Sequence, residues 1–156
     1  MIPPPKDHHM DKVLQMESRE KIRVMVVDED VGFLSLIRLI ILSFGGCEIR
    51  QARSSEEALA LFCSYRPDMT LMDIGMSRRE GVRALEGILA EDHHARIVLV
   101  TALQPESAQS YLNTPVSFAY VDKRMAISSI RLQIHQHLQG CLGYAGCVRG
   151  SVTAPL

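Results

Sequence analysis

Ile22-Arg23-Val24-Met25-Val26-Val27-Asp28-Glu29-Asp30 decides how this chain folds, because a short, mostly apolar run stops abruptly at three consecutive acids. Short apolar runs without polar alternation read as strands covered on both faces. Four more runs follow, at Cys47 to Ala52, Met69 to Met72, Ile97 to Val100 and Phe118 to Val121, and most of the five are continuously apolar. The segments between them carry helix signals: Ser54 and Glu57 form a capping box ahead of Ala58, Leu59 and Phe62, and Pro105 suits a first helical turn. Five strands alternating with five helices, linked by crossovers of a dozen or more residues, predict an α/β doubly wound parallel sheet with helices on both faces.

The chain has 156 residues, 47% apolar and 22% charged, enough for one core and one domain. A net charge of −1 gives no electrostatic basis for direct DNA binding or for an anionic membrane surface. Cys47, Cys63, Cys141 and Cys147 form no CxxC pair, and the first twenty residues place Pro3 to Pro5 and charges where a signal peptide needs an apolar centre. A reduced, cytoplasmic setting is expected. The longest apolar stretch, Phe33 to Phe44, contains Arg38 and falls short of the ~20 residues that span a bilayer.

Residues 1–20 are polar and aperiodic and are expected to be poorly ordered, with the domain at 21–140. The last helix is expected from about Met125 to Gln139, with Ile127, Ile130, Ile134 and Leu138 on one stripe, Gly140 as its stop and an irregular tail over 141–156. In the first helix, Phe33 to Leu42, apolar residues run nearly all the way round. Its outer side is expected to meet either a second copy of the chain or the C-terminal tail.

Chemistry enters at the strand ends. Asp28-Glu29-Asp30, Asp73, Thr101 and Asp122-Lys123 close the first, third, fourth and fifth runs. Open α/β sheets bind ligands at this edge. Clustered carboxylates repel one another unless a cation compensates, and a hard divalent ion such as Mg²⁺ accepts such oxygens. Asp73 can then act as a nucleophile toward phosphorus, with Lys123 and Thr101 binding the remaining phosphoryl oxygens.

From Ile22 to about Gln139 the chain resembles the response-regulator receiver family, on VMVVDED at Val24 to Asp30, PDMTLMDIGMSRREG at Pro67 to Gly81, LVTA at Leu99 to Ala102 and FAYVDK at Phe118 to Lys123. The resemblance implies a flavodoxin-like sheet of order 2-1-3-4-5. It implies Asp73 as phosphoacceptor, Asp28, Glu29, Asp73 and the Gly75 carbonyl as ligands of Mg²⁺, for which Mn²⁺ can substitute, and Lys123 as the family's lysine. Thr101 would be the switch hydroxyl, Tyr120 the aromatic that turns inward as Thr101 moves, and Gly81 the glycine after the phosphorylation loop. A histidine kinase or histidine phosphotransfer protein would donate the phosphoryl group, and a protein effector or a second protomer would read the face of the fourth helix, fifth strand and fifth helix. Such a chain is a signalling switch, not an enzyme acting on a separate substrate. Gly75 and Leu103, two residues beyond the acceptor and the threonine, cannot orient a water, so dephosphorylation is expected to be slow.

Three positions depart from the family pattern: Ser77 and Arg124 stand where proline is usual, and Arg79 where an apolar residue is. The Lys-Pro bond is often cis in the family, and a cis bond before Arg would cost about 2.5 to 4 kcal/mol, so the loop after Lys123 is expected to differ. These departures motivate an alternative, a phosphorylation-independent pseudo-receiver that serves as a protein-binding module. A hydrolase with an aspartyl intermediate would need a general acid and a substrate pocket that the sequence does not display. His135, His137, Cys141 and Cys147 are soft-metal ligand types, but His135 and His137 belong to different helix faces and no second pair completes a known pattern.

Overall fold

Alternate residues of one strand enter different cores, and this split organises the molecule. The computed structural model describes residues 21–112 and 118–144. Strands β1 (Ile22–Val27), β2 (Cys47–Ala52), β3 (Met69–Met72), β4 (Ile97–Thr101) and β5 (Ala119–Asp122) pair in parallel, in the order β2-β1-β3-β4-β5. They alternate with α1 (Val31–Ser43), α2 (Ser55–Tyr65), α3 (Glu80–Glu91), α4 (Pro105–Tyr111) and α5 (Ile127–Tyr144), and a short 3-10 turn at Ser77–Arg79 precedes α3. Val24 and Val26 pack with Ile37 and Ile41 of α1 and Ile130 and Ile134 of α5. Met25 and Val27 point the other way, toward Phe62 of α2 and Leu85 and Ile88 of α3. Burying one such side chain contributes about 1.5–3 kcal/mol relative to leaving it in water.

The helix starts follow from local chemistry. Asp30 caps α1 by accepting from the Phe33 N–H at 3.1 Å. Ser54 Oγ accepts from the Glu57 N–H at 3.1 Å, and Glu57 returns a bond to the Arg53 N–H at 2.8 Å, one residue before the cap. Pro105 opens α4 as expected.

The C-terminal helix corrects the expectation. It begins at Ile127, close to the expected start, but Gly140 does not stop it, since α5 continues to Tyr144. Cys141 prolongs the buried stripe of Ile130, Ile134 and Leu138, so packing favours another turn. Gly140 serves a close approach instead: a Cβ there would lie 2.5 Å from Arg96 Nη2, which donates to the His137 carbonyl at 3.1 Å. Ile127, assigned to the stripe, is 56% exposed. The expected tail therefore cannot start at 141, and residues 1–20 and 145–156 lie outside the described residues. Helix α1 buries Leu34, Ile37, Ile40 and Ile41, while Val31, Leu39 and Leu42 stay exposed among the described residues. No helix among the described residues is long and apolar enough to cross a membrane.

Candidate functional site

Four strands leave the sheet by the same device. Asp28 Oδ1 accepts from the Asp30 N–H (2.9 Å), Asp73 Oδ1 from the Gly75 N–H (2.8 Å), Thr101 Oγ1 from the Leu103 N–H (3.3 Å) and Asp122 Oδ1 from the Arg124 N–H (2.9 Å). Short polar side chains close their own backbone turn two residues on. In Asp28 and Asp73 this ties one carboxylate oxygen and leaves Oδ2 to face the site.

Lys123 joins those two oxygens. Its Nζ lies 2.5 Å from Asp28 Oδ2 and 2.9 Å from Asp73 Oδ2, hydrogen-bonded to the latter, and 4.3 Å from the centre of the Phe33 ring. Asp28 is 2% exposed and Asp73 9%. Burial pushes the Asp28 carboxyl above its ordinary value, against the opposing pull of Lys123 and the Asp30 N–H. Burial alone would lower the Lys123 ammonium, but contact with Asp28 and Asp73 outweighs it and holds the group above its ordinary value. Asp28 Oδ2 is buried with the Lys123 ammonium as its partner, and its second lone pair leaves a buried carboxylate oxygen with unused acceptor capacity.

The loop from β3 to α3 is crowded. A Cβ on Gly81 would stand 2.2 Å from the Asp73 carbonyl oxygen and 2.6 Å from Ile74 Cα, so only glycine lets α3 start against the acceptor's own backbone. Gly75 leaves open the space between Asp73 Oδ1 and Thr101 Oγ1, which lie 3.1 and 3.3 Å from where its Cβ would be. Arg78 and Arg79 both take left-handed backbone angles, φ 55° and 58°. That conformation costs a non-glycine residue roughly 1–2 kcal/mol. Just before them, Ser77 binds Glu29, its N–H donating to Oε1 at 3.0 Å and its hydroxyl to Oε2 at 2.6 Å. These two bonds hold the Glu29 carboxyl below its ordinary value.

The β4 and β5 ends meet at Leu103. Its N–H binds the buried Thr101 hydroxyl, and its carbonyl accepts from the Tyr120 hydroxyl, so both expected switch residues hold one loop residue. Beyond β5, the Lys123–Arg124 bond is trans, as is every peptide bond among the described residues. Arg124 folds back on Asp122 through Nε (2.9 Å) and Nη2 (2.7 Å), and this contact draws the Asp122 carboxyl down to about 2. The different loop expected after Lys123 is thus a trans turn closed by a local ion pair.

Of the residues singled out in the sequence, Asp28, Asp73 and Lys123 meet directly, and Gly75 and Thr101 flank Asp73. Tyr120 is half-buried at the β4–α4 loop, and Glu29 is turned to Ser77. Phe33 under the lysine and Ser77 against Glu29 were not anticipated in these roles. Ser77 carried a signal as an unexpected residue, whereas Phe33 was concealed in an apolar helix. His135 stacks on Phe44 and Cys141 lies in the core.

The model of the response regulator receiver domain family matches residues 24–135, and the chain belongs to that family. A protein-glutamate methylesterase/protein-glutamine glutaminase of Haloarcula marismortui is 35% identical over 99 residues, 63% of this chain and 25% of that protein. The chain thus spans a quarter of that relative's length. The chemotaxis protein CheY of Bacillus subtilis is 28% identical over 85 residues, 54% of this chain and 71% of CheY. Among solved structures, a LuxR-family two-component response regulator from Aurantimonas sp. aligns with TM-score 0.66 and 25% identity, covering 77% of this chain and 86% of that one. Receiver domains are signalling switches of two-component systems, and they generally bind Mg²⁺ and work with histidine kinases and downstream effectors. The donor set here fits such an ion: two adjacent buried carboxylates, one with unused acceptor capacity, and open space at Gly75. Glu29 stands next to Asp28 in the chain but has both oxygens engaged by Ser77.

Proposed function

We propose that this chain accepts a phosphoryl group on Asp73 from a histidine kinase or histidine phosphotransfer protein and passes the signal to a protein partner. The observation that carries the reading is the meeting of Lys123 with both Asp28 and Asp73, the arrangement expected of a phosphoacceptor and its counter-charge. Asp73 Oδ2 attacks phosphorus, the phosphorus–nitrogen bond of the donor histidine breaks, and the imidazole leaves with the bonding pair and takes up a proton. Lys123, no longer shared by two carboxylates, pairs with a phosphoryl oxygen. Asp28, Asp73, the Gly75 carbonyl and a released Glu29 would hold Mg²⁺, which supplies charge neutralisation for the incoming group. Thr101 lies across the Gly75 gap and can bond a further phosphoryl oxygen, giving up Leu103 to do so. Leu103 is also held by Tyr120, so this exchange would loosen the β4–α4 loop and bias the face formed by α4, β5 and α5. Gly75 and Leu103 offer no side chain to orient an attacking water, so the phosphorylated form is long-lived. The setting is cytoplasmic.

Incubation with acetyl phosphate and Mg²⁺ should add one phosphoryl group by mass, and Asp73→Asn should abolish it. No addition to the native chain would overturn the reading. It would leave a phosphorylation-independent binding module, whose one supporting observation is that Glu29 is held by Ser77 and not turned to the carboxylate pair.

A further inference from the structure

Glu29 directly follows Asp28 at the acidic end of β1, yet its carboxylate is committed elsewhere. Both of its oxygens are taken by Ser77, one by the backbone N–H at 3.0 Å and one by the hydroxyl at 2.6 Å. Hydrogen bonds to an ionised group are the stronger class, and two from one residue fix both position and orientation. An exposed glutamate would otherwise sample many rotamers. Ser77 sits four residues beyond Asp73, in the 3-10 turn that continues into the left-handed pair Arg78 and Arg79. With each oxygen already accepting from Ser77, only its second lone pair remains for a cation held by Asp28 and Asp73, and turning the carboxylate toward that cation would loosen one or both bonds.

We propose that Ser77 is a positioning residue that latches Glu29 to the β3–α3 turn, so that cation uptake has to loosen the latch and the latch sets the Mg²⁺ affinity of the site. This rests on the reading of Asp28, Glu29 and Asp73 as the cation's cradle. The coupling runs both ways: a bound ion that recruits Glu29 frees the turn beside the acceptor, and a change that loosens the turn makes Glu29 available to the ion.

Two variants remove the latch by degrees. Ser77→Ala deletes the hydroxyl bond alone. Ser77→Pro deletes both, because proline has neither an N–H nor a hydroxyl. The preceding Met76 already has φ −60° and ψ 148°, an extended conformation that a following proline accepts, and proline suits the first position of a helical turn. Mg²⁺ titrations of the whole chain, followed by amide chemical shifts, should show binding tightened about threefold in Ser77→Ala and about tenfold in Ser77→Pro. In the native chain, saturating Mg²⁺ should also speed hydrogen exchange of the Ser77 amide, which has lost its acceptor. Native uptake of Mg²⁺ with unchanged or weaker affinity in the variants, or a Ser77 amide still protected at saturation, overturns the latch alone. Absence of Mg²⁺ uptake in the native chain and both variants overturns the cradle reading and the latch together. Should Ser77→Pro fail to fold, Ser77→Ala and the amide exchange of the native chain decide the matter.

Discussion

The loops that follow β3 and β5 both carry residues unusual for a receiver domain, and they accommodate them in opposite ways. After β5, Arg124 is satisfied away from the carboxylates: it closes on Asp122, two residues away, donates to the Gln104 side-chain oxygen at the start of α4, and leaves Lys123 directed at the carboxylates. After β3, the unusual residues are drawn into long-range structure. Ser77 reaches Glu29 across 48 positions, and Arg79 adopts a strained left-handed conformation so that α3 can start at Glu80 and bring Gly81 against Asp73. A substitution is harmless to a site where its partners lie outside that site, and consequential where its partner belongs to it.

The sharpest way to break this contrast is Gly81→Ala. A methyl group 2.2 Å from the Asp73 carbonyl oxygen meets backbone and not a movable side chain, so urea unfolding should show a loss of about 3 kcal/mol or more. A loss below ~1 kcal/mol would show that the β3–α3 loop is not constrained as described.

Asp28→Asn tests the carboxylate pair that both loops serve. Burial raises the folded-state Asp28 carboxyl, so the ionised form costs stability that a neutral isostere recovers. In metal-free buffer at pH 7 the variant should be more stable by on the order of 1 kcal/mol. The sign follows from linkage: below pH ~3.8 the acid is protonated in folded and unfolded chains alike and the gain vanishes, and it grows as pH rises through the window above that value. Urea midpoints measured across that range provide the check.

Smaller effects should separate the loops further. Arg79→Gly relieves a left-handed backbone but adds freedom to the unfolded chain, leaving a net gain of about 0.5 kcal/mol by thermal melting. Arg124→Ala should leave stability near neutral pH unchanged, as expected of a solvent-screened surface pair. Its signature is electrostatic: the Asp122 carboxyl, which should titrate near 2 by NMR in the native chain, should return toward the ordinary 3.8. The pair supports folding above that ordinary value and ceases to do so as pH falls through about 2. If Arg124→Ala instead shifts the Mg²⁺ affinity, the β5–α5 loop is not independent of the carboxylates and the contrast fails.

Much of this architecture was legible in the residues themselves. Strand runs, capping residues and the acids, hydroxyl and lysine at strand ends are properties of short windows, and the side-chain-closed turns at Asp28, Asp73, Thr101 and Asp122 span only two residues. The end of α5 was misread for the complementary reason. Gly140 is a stop signal by local propensity, yet Cys141 gains burial by continuing, and tertiary packing outweighs the roughly 1 kcal/mol that glycine costs a helix.

The sequence by itself determined which residues would stand at the carboxyl edge, because periodicity and turn chemistry act over neighbours and need no knowledge of the rest of the chain. Only the tertiary structure decided which of them meet. Lys123 joins Asp73 across 50 positions, and Glu29 pairs with Ser77 and not with the acid beside it. A long side chain can reach several partners at similar local cost, and the choice among them depends on surfaces that exist only once the sheet has formed.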